Sequence, residues 1–409
     1  MFKPLKVVIA IVMAGSIFQA PVQAADNEFY KGKNLTYIVS TNAGGGYDAY
    51  GRLIGKYLEK YLEAGNVIIR NIPGAGHVIG ANTLWTSKPD GLTIGTFNTG
   101  LIYGQILGRE ALRFDLKEFE WIGKAAGEPR SLVVSAECAI KTPEDLINAK
   151  EPVKFAVAGI GSASYTDTQL LAEALDLNIE AIAGFDGTEG EMSMMRGEVC
   201  AQVGSTSSIE GFVNSGYGSY LLTVGGNIEG VANALDYAKT EKARGIISLI
   251  DALAQLGRVT AAPPGTPPER VEALRAAYEK ALTDPEFLAD AAAMGRPIDP
   301  AYGEDVRKLV VAALNQNPET VAIIAKAVNV EAPTVTVTTG LLWVSDDGRE
   351  VEFMSGDEKI RSKISGSRTE IKLNGEKAKR SVLQNGMNCE IEFAPDDAEN
   401  EPKYLFCKA

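Results

Sequence analysis

Short apolar runs alternate with amphipathic helical stretches between residues 35 and 328 of this 409-residue chain. The first examples are an apolar run at 35–40, a helical pattern at 50–62 and a second apolar run at 67–71. Apolar, β-branched runs that alternate with helices are typical of βαβ units. The pattern therefore predicts an α/β fold with a largely parallel sheet.

The same alternation predicts a second α/β unit at residues 128–225. Its elements are predicted strands at 131–135, 153–158 and 199–204 and a helix at 166–175. The chain would then return to the first unit, which becomes discontinuous. We therefore predict a first domain made of residues 25–127 and 226–330.

The composition changes near residues 331–333, and short β-prone segments follow. Apolar and charged residues alternate in these segments, and turn-like Asp-Asp-Gly, Ser-Gly-Asp and Asn-Gly sequences separate them. This alternation is typical of half-exposed antiparallel strands. Residues 331–409 are therefore predicted to form a separate small antiparallel β domain at the C-terminus.

Four cysteines allow three disulfide pairings. In a hairpin in which Ala394 faces Pro402, the same register places Cys389 directly opposite Cys407. A disulfide there would stabilise the small unit by about 3 kcal/mol. The pattern leaves two possibilities for the remaining pair, Cys138 and Cys200, which either bond to each other or remain free buried thiols.

The N-terminal residues are typical of a secretory signal peptide. Lys3 and Lys6 precede an apolar run at 7–18, and residues 22–24 form a small-x-small cleavage site. The run is too short for a membrane span, which needs roughly 20 residues. We expect cleavage after Ala24 and an exported protein that does not itself span a membrane.

The formal net charge of −13 argues against two classes of partner. Nucleic acid and anionic membrane surfaces would both be repelled at long range. A small anionic ligand is not excluded, because local dipoles rather than the total charge govern a closed pocket.

Three glycines, Gly44, Gly45 and Gly46, separate the first predicted strand from the first predicted helix. Glycine lets a backbone turn tightly and approach a ligand closely. The helix start that follows presents unpaired N–H groups and a partial positive charge. This segment is therefore predicted to bind a carboxylate or a phosphate.

Motifs for nucleotide binding and for hydrolysis are incomplete or missing in this sequence. The segment that starts at Gly46 has phosphate-loop spacing without the lysine and the Ser/Thr, and residues 74–80 resemble a dinucleotide loop with a displaced last glycine. The chain has one histidine, His77, which we expect at the surface or at a helix start, and it lacks a nucleophile elbow. No catalytic residue, metal site or cofactor is therefore predicted.

The glycine segments belong to an ordered set of motifs. The set includes Ala43-Gly44-Gly45-Gly46-x-Asp48-x3-Arg52, Asn71-x-Pro73-Gly74-Ala75-Gly76-x3-Gly80-Ala81, Lys88-Pro89-Asp90-Gly91-Leu92-Thr93-Ile94, Gly159-Ile160-Gly161-Ser162 and Gly184-Phe185-Asp186-Gly187, with further matches at 141–146, 196–199, 262–267 and 284–287. Together the motifs resemble the solute receptors of tripartite tricarboxylate transporters, also called Bug proteins, over residues 29–329. The β module after residue 333 lies outside this pattern.

The resemblance implies a periplasmic binding protein of the flytrap, type II-like architecture. Its two domains would close on a small organic carboxylate, such as a di- or tricarboxylate or an aromatic acid, and deliver it to integral-membrane transporter subunits. One loop from each domain, at 42–48 and 159–164, would hold the ligand. The implied ligand-binding residues are Asn42, Gly44, Gly45, Gly46, Tyr47, Asp48, Thr99, Gly159, Gly161, Ser162, Ser164, Gly184, Phe185 and Gly187.

Three of these residues have alternative interpretations. Asp48 would repel an anion, so it is better interpreted as a helix cap that pairs with Arg52 one turn on. Tyr47 and Phe185 would either enclose the ligand or only pack at the rim of the cleft.

Two other functions compete with transport. An exported enzyme could use the same cleft, with Asp48 or Glu189 as an acid/base and Ser162 as a nucleophile. A sensor could use the β module to contact a signalling partner. The module could also be a docking unit, a surface anchor or a second binding unit.

Overall fold

The computed structural model describes residues 27–330, 334–366, 369–393 and 401–408. The predicted signal peptide at 1–24, with its cleavage site after Ala24, lies outside the described residues. Most of the turn predicted between the last two strands also lies outside them.

The first domain begins with parallel βα units. Its elements are α1 (Asn27–Tyr30), β1 (Asn34–Val39), α2 (Gly46–Leu62), β2 (Asn66–Asn71), α3 (Val78–Trp85), β3 (Thr93–Phe97), α4 (Gly100–Ile106) and β4 (Glu120–Lys124). Helix α2 starts directly after the glycine run and ends where Glu63 adopts a left-handed backbone with φ of 50°. The predicted strand-to-helix turn is therefore confirmed.

The second domain follows without a break. Its elements are β5 (Arg130–Ser135), α5 (Pro143–Ile147), β6 (Val153–Val157), α6 (Ala163–Leu175), β7 (Ile179–Ala183), α7 (Glu189–Met195), β8 (Ala201–Ser205), α8 (Thr206–Asn214), β9 (Gly218–Val224), β10 (Ala232–Asn233) and α9 (Glu241–Ala254). Its six-stranded sheet has the order β10-β9-β5-β8-β6-β7.

The predicted return to the first domain at residue 226 is too early. Strand β10 pairs in parallel with β9, and α9 packs against α6 and β9, so both belong with the second sheet. A strand of two residues carries no readable alternation, which explains why the pattern missed it.

The chain returns to the first domain through β11. The returning elements are β11 (Val259–Ala262), α10 (Pro268–Thr283), α11 (Pro285–Ala293), β12 (Ala301–Tyr302) and α12 (Gly303–Leu314). The helix that follows, α13 (Pro318–Ala327), packs against α6 of the second domain. The first sheet has the order β12-β4-β11-β3-β1-β2. Strand β11 lies between β3 and β4 and is antiparallel to both.

Both sheets are therefore mixed, and the prediction of a largely parallel sheet is wrong. In the first sheet only the pairs of β1 with β2 and β3 are parallel. In the second sheet β5 is antiparallel to β8 and β9. Among the described strands of these sheets, four antiparallel pairs involve β5 or β11, the strands through which the chain enters and leaves the second domain. The fifth joins β12 to β4.

The C-terminal module contains only strands and one short 3₁₀ turn in its described part. Its strands are β13 (Val335–Gly340), β14 (Trp343–Val344), β15 (Glu350–Ser355), β16 (Glu358–Lys363), β17 (Glu370–Leu373), β18 (Glu376–Lys377), β19 (Asn388–Phe393) and β20 (Pro402–Lys408). They form a five-stranded sheet, β13-β19-β20-β17-β18, and a three-stranded sheet, β14-β15-β16. Buried residues of both sheets share one core.

One strand pair departs from the antiparallel prediction for the module. Strand β17 is parallel to β20, whereas the other pairs in the module are antiparallel among the described residues. The predicted register of the last hairpin is confirmed at Cys389 and Cys407, which are direct partners. A bulge then places Phe393, rather than Ala394, opposite Pro402.

Both disulfides are present. Cys389 bonds to Cys407 with a Cα–Cα distance of 4.0 Å, as the register predicted. Cys138 bonds to Cys200 with a Cα–Cα distance of 5.4 Å, which resolves the open alternative. The second bond joins the end of β5 to the start of β8, where the amide of Ser135 donates to the carbonyl of Cys200.

Candidate functional site

A cavity of about 110 Å³ lies between the two α/β domains. Since a single water needs only about 10–15 Å³ of accessible space, the cavity has room for a small organic molecule. First-domain residues and the segment before β11 contribute Thr41, Gly45, Gly46, Tyr47, His77, Asn98 and Arg258. The second domain contributes Arg130, Ala156, Ala158, Ala163, Ser164, Phe185, Asp186, Gly187, Glu191, Gln202, Val203, Gly204, Ser205, Ser208 and Ile209.

The start of α2 forms one wall of the cavity. Gly45 is the N-cap with an extended backbone, and the helix begins at Gly46. The amides of Gly46 and Tyr47 therefore have no acceptor within the helix, and both residues line the cavity. A helix N-terminus with free amides favours an anion.

Gly44 and Asp48 lie outside this lining, contrary to the prediction. The amide of Gly44 donates to Oδ2 of Asp48 over 2.9 Å, so Gly44 does not offer that N–H to a ligand. Arg52 Nε donates to the same oxygen, and Asn71 Nδ2 donates to Oδ1, each over 2.9 Å. Asp48 is only 4% exposed, and it fixes the glycine loop to the helix.

The protonation of Asp48 follows from these bonds. Burial would raise the pKa of its carboxyl, but hydrogen bonds from Arg52, Gly44 and Asn71 outweigh burial and hold the pKa below its ordinary value. The pairing with Arg52 is confirmed. The predicted capping role is wrong in detail, because the N-cap of α2 is Gly45.

The start of α6 forms the facing wall. Ser162 is the N-cap of α6, with its Oγ accepting from the amide of Tyr165 over 3.2 Å, and it is fully buried. Its hydroxyl therefore serves the helix and does not line the cavity. Ser164 does line the cavity, and its Oγ also accepts from the amide of Ala158 over 3.1 Å.

Five other predicted residues also lie outside the lining, for separate reasons. The amide of Asn42 donates to Oδ2 of Asp186 over 2.7 Å, and buried Thr99 accepts from Arg130 Nη2 over 3.5 Å. A side chain at Gly159 would meet the amide of Gly76 at 3.3 Å, one at Gly161 would overlap the guanidinium of Arg109, and one at Gly184 would meet no atom within 4 Å. Gly159 and Gly161 therefore allow the two domains to touch.

Two buried arginines line the cavity and were missed by the sequence interpretation. Arg258 Nη2 donates to Glu128 Oε1 over 2.9 Å and to Ser208 Oγ over 3.0 Å. Its guanidinium also lies 4.3 Å from the ring centre of Tyr47 and 4.9 Å from that of Tyr50, within cation–π range. The arginine therefore joins a first-domain helix to residues at the entrance of the second domain.

The second arginine, Arg130, starts β5. Its Nε lies 2.7 Å from Asp167 Oδ2, and its Nη1 donates to Ser205 Oγ over 2.9 Å. Neither arginine belongs to a glycine motif. The one feature of the local sequence that could have drawn attention to Arg130 is its position as a charged residue at the start of the apolar run of β5.

The side chain of Asp186, in the second domain, contacts the first domain across the cleft. Its Oδ1 lies 3.2 Å from His77 Nε2, and Asn98 Nδ2 hydrogen bonds to the other ring nitrogen of His77. Burial would raise the pKa of Asp186, but the bonds from His77 and the amides of Asn42 and Gly187 hold the pKa below its ordinary value. His77 is 4% exposed, so it is not at the surface. It is the N-cap of α3, which confirms the alternative expectation of a helix start.

The residues proposed for an enzyme are engaged elsewhere. Ser162 caps a helix, Asp48 accepts three hydrogen bonds, and Glu189 accepts from the amide of Asp186 over 3.1 Å. Within the described part of the chain, His, Cys, Asp and Glu side chains do not gather in groups of three that could hold a metal ion. In that same part, the helices are all too short or too polar to cross a bilayer.

Comparisons with known proteins agree with this geometry. The family described as "Tripartite tricarboxylate transporter family receptor" matches residues 52–326. A UPF0065 protein of Bordetella bronchiseptica is 24% identical over 290 residues, which cover 70% of this chain and 84% of that protein. The C-terminal strands from β13 onward lie beyond the family match.

Solved structures share the two-domain fold. The periplasmic binding protein BugD superposes with a TM-score of 0.61 at 20% identity, covering 74% of this chain and 99% of that one. R. palustris Rpa4515 with adipate superposes with a TM-score of 0.61 at 18% identity, covering 74% and 98%. The predicted periplasmic-binding-protein architecture is confirmed.

The family match also decides between receptor and enzyme. The match covers most of both α/β domains, and the proteins it describes are receptors that bind a solute rather than enzymes that convert one. The chain belongs to the tripartite tricarboxylate transporter receptor family.

Proposed function

We propose that this chain is a periplasmic receptor that captures a small organic carboxylate between its two domains and delivers it to integral-membrane transporter subunits. The observation that carries the proposal is the cavity itself, because the start of α2 from one domain faces the start of α6 from the other. The amides of Gly46 and Tyr47, the hydroxyl of Ser164 and the guanidinium of Arg258 are suited to an anion.

The interaction free energies expected at this site suit reversible binding of an anion. A helix start contributes about 0.3 to 2 kcal/mol toward an anion, and a hydrogen bond to a charged group contributes about 1.5 to 3 kcal/mol. Two helix starts and a few such bonds can reach the roughly 8 kcal/mol of micromolar affinity. Covalent chemistry is not needed for this task.

Closure follows from a ligand that contacts both domains. Such a ligand has more contacts in the closed state than in the open one, so its binding shifts the population toward closure. The cross-cleft bonds of Asp186 to the amide of Asn42 and to His77 add protein contacts to the closed state. The closed form would be the one that membrane partners recognise.

The comparisons support the ligand class. A protein of the same fold is described with adipate, a dicarboxylate, and the matching family is named for tricarboxylate transport. The predicted signal sequence supports the periplasmic location.

A thermal-shift screen tests the proposal. Protein that has been unfolded, washed free of ligand and refolded is mixed with di- and tricarboxylates, aromatic acids and amino acids. A ligand at 100 times its Kd should stabilise the folded state by about 2.7 kcal/mol. No shift with any acid, or conversion of an acid into a product, would overturn the proposal.

A matched pair of serine variants locates the site. Ser164→Ala removes a cavity-lining hydroxyl and should weaken binding of the acid found in the screen. Ser215→Ala removes a hydroxyl just after α8, where the residue is exposed, and should leave the affinity unchanged. Equal affinities for both variants would argue that Ser164 does not touch the ligand.

A further inference from the structure

Four side-chain atoms of the cavity-lining residues are buried without a hydrogen-bond partner among the described residues. They are Oγ1 of Thr41, Nε of Arg130, Nε of Arg258 and Oε2 of Glu191. Arg130 Nε still faces a carboxylate, because it lies 2.7 Å from Asp167 Oδ2. Thr41, Arg258 and Glu191 therefore keep an unmet polar atom.

These three atoms differ in chemistry and in position. Thr41 follows β1, and Arg258 stacks on Tyr47 beside the start of α2, so two potential donors lie on the first-domain side. Glu191 is in the first turn of α7 in the second domain. Because a carboxylate oxygen accepts hydrogen bonds, Glu191 places an unmet acceptor on the opposite side.

The other carboxylate of the lining is already compensated. Asp186 accepts from the amides of Asn42 and Gly187 and is paired with His77. Glu191 lacks such a set, and burial raises the pKa of its carboxyl despite opposing hydrogen bonds from its own backbone and from Gln202. Its Oε2 atom is nevertheless buried without a hydrogen-bond partner among the described residues, which costs free energy unless that oxygen binds a proton or a cation.

The charges around the cavity favour the cation. Arg130 and Arg258 are each already paired with a carboxylate, Asp167 and Glu128. With Asp186 and Glu191 added, two guanidinium groups and His77, the partner of Asp186, stand against four carboxylates, of which Asp186 and Glu191 line the cavity. A ligand with two or three negative charges would add repulsion in a site of low dielectric, whereas a zwitterion adds no net charge.

We infer that the cavity selects a small amino acid, whose carboxylate meets Thr41, Arg258 and the start of α2 and whose ammonium group pairs with Glu191. This inference rests on the proposed function and narrows its ligand class. A cavity of about 110 Å³ suits a small ligand.

Calorimetry with matched acids tests the inference. Refolded, ligand-free protein is titrated with aspartate, malate and succinate, which share a carbon skeleton and carry an ammonium, a hydroxyl and a hydrogen at the same position. Alanine, lactate and propionate form a second set, and glutamate, 2-hydroxyglutarate and glutarate form a third. In at least one set, the amino acid should bind at least tenfold more tightly than its two analogues.

Two variants assign the preference to Glu191. Glu191→Gln keeps the size and removes the charge, so it should weaken amino acid binding at least tenfold and leave the deaminated acid bound equally or better. Thr41→Val should weaken every member of a set by a similar factor, because the carboxylate is common to all. Glu180→Gln, at an exposed position on β7, is the charge control and should keep the wild-type ratio.

The outcomes separate the inference from the proposed function. If a deaminated acid binds as tightly as its amino acid, or if Glu191→Gln keeps the wild-type ratio, the inference is wrong while the receptor function stands. If none of the nine acids binds, and no acid of the wider screen stabilises the protein, the receptor function fails as well.

Discussion

His77 Nε2 of the first domain lies 3.2 Å from Asp186 Oδ1 of the second. The other oxygen of Asp186 accepts from the amide of Asn42, also of the first domain, over 2.7 Å. One partly buried carboxylate therefore binds two groups across the cleft. These contacts hold the two domains together without a ligand. A bound ligand adds further contacts between the same two domains.

Asp186→Asn should favour the open state. The amide side chain cannot accept at both positions, so at least one charged hydrogen bond of about 1.5 to 3 kcal/mol is lost. We expect ligand affinity to fall about tenfold or more, measured by calorimetry, and the radius of gyration to increase in X-ray scattering. Asp176→Asn, at an exposed left-handed position that asparagine also adopts, should change neither quantity.

Gly45→Ala should block closure by sterics alone. A Cβ at Gly45 would lie 2.9 Å from the Cα of Gly187 across the cleft, although the backbone angles of Gly45 suit alanine. We expect at least tenfold weaker binding with little change in thermal stability. Gly211→Ala, in a helix and with no atom within 4 Å of the added Cβ, is the control; equal binding by both variants would contradict the closure geometry.

Asp284 should make stability depend on pH in the acid range. Hydrogen bonds from Lys60 and Tyr61 lower the pKa of its carboxyl to about 2 from 3.8. A lowered folded-state pKa stabilises the protein above the unfolded value, and this contribution is lost as the pH falls through the folded value. The stability advantage of wild type over Asp284→Asn should therefore be full above about pH 5 and shrink between about pH 4 and pH 2.

Urea unfolding at a series of pH values measures that advantage. Asparagine retains an N-cap acceptor for the amide of Glu286, so the substitution isolates the charge. Asp305→Asn, on the exposed face of α12, serves as the control. An advantage that stays constant down to pH 2 would show that the Lys60 contact does not hold the carboxylate charged.

Removal of the Cys389–Cys407 disulfide should destabilise only the C-terminal module. The bond closes a loop with a sequence separation of 18, which is worth about 3 kcal/mol in the chain-entropy account. Because the module has its own buried core, Cys389→Ala/Cys407→Ala should lower its unfolding temperature in calorimetry and leave ligand affinity unchanged. Loss of affinity would instead connect the module to the cleft.

Local features of the site could be predicted because their causes are local. A glycine run before an amphipathic helix is visible in the sequence, and Gly45, Gly46, Tyr47, Ser164, Phe185 and Gly187 line the cavity. The sequence could not show that the carboxylate of Asp48 accepts a hydrogen bond from the amide of Gly44. Nor could it show that the hydroxyl of Ser162 caps α6. These internal hydrogen bonds occupy groups that were predicted to bind the ligand, and they depend on side-chain rotamers rather than on residue spacing.

Contacts between residues far apart in the sequence were not predicted, for a different reason. Arg130, Arg258 and His77 come from distant segments that meet only after β11 has inserted between β3 and β4. Cys138 and Cys200 are 62 residues apart, and the pairing of β5 with β8 brings them together. By contrast, the alternation on two neighbouring strands was enough to place Cys389 opposite Cys407.

Native mass spectrometry of the refolded, ligand-free protein tests the central claim most directly. The protein is mixed with a pool of small organic acids that includes amino acids, and the complex is then dissociated to weigh the released ligand. The proposed function predicts one acid per chain, released at the mass of the acid added, with far less complex formed by Gly45→Ala than by Gly211→Ala. An absence of any complex with the wild-type protein, or release of a molecule whose mass matches none of the acids added, would contradict it.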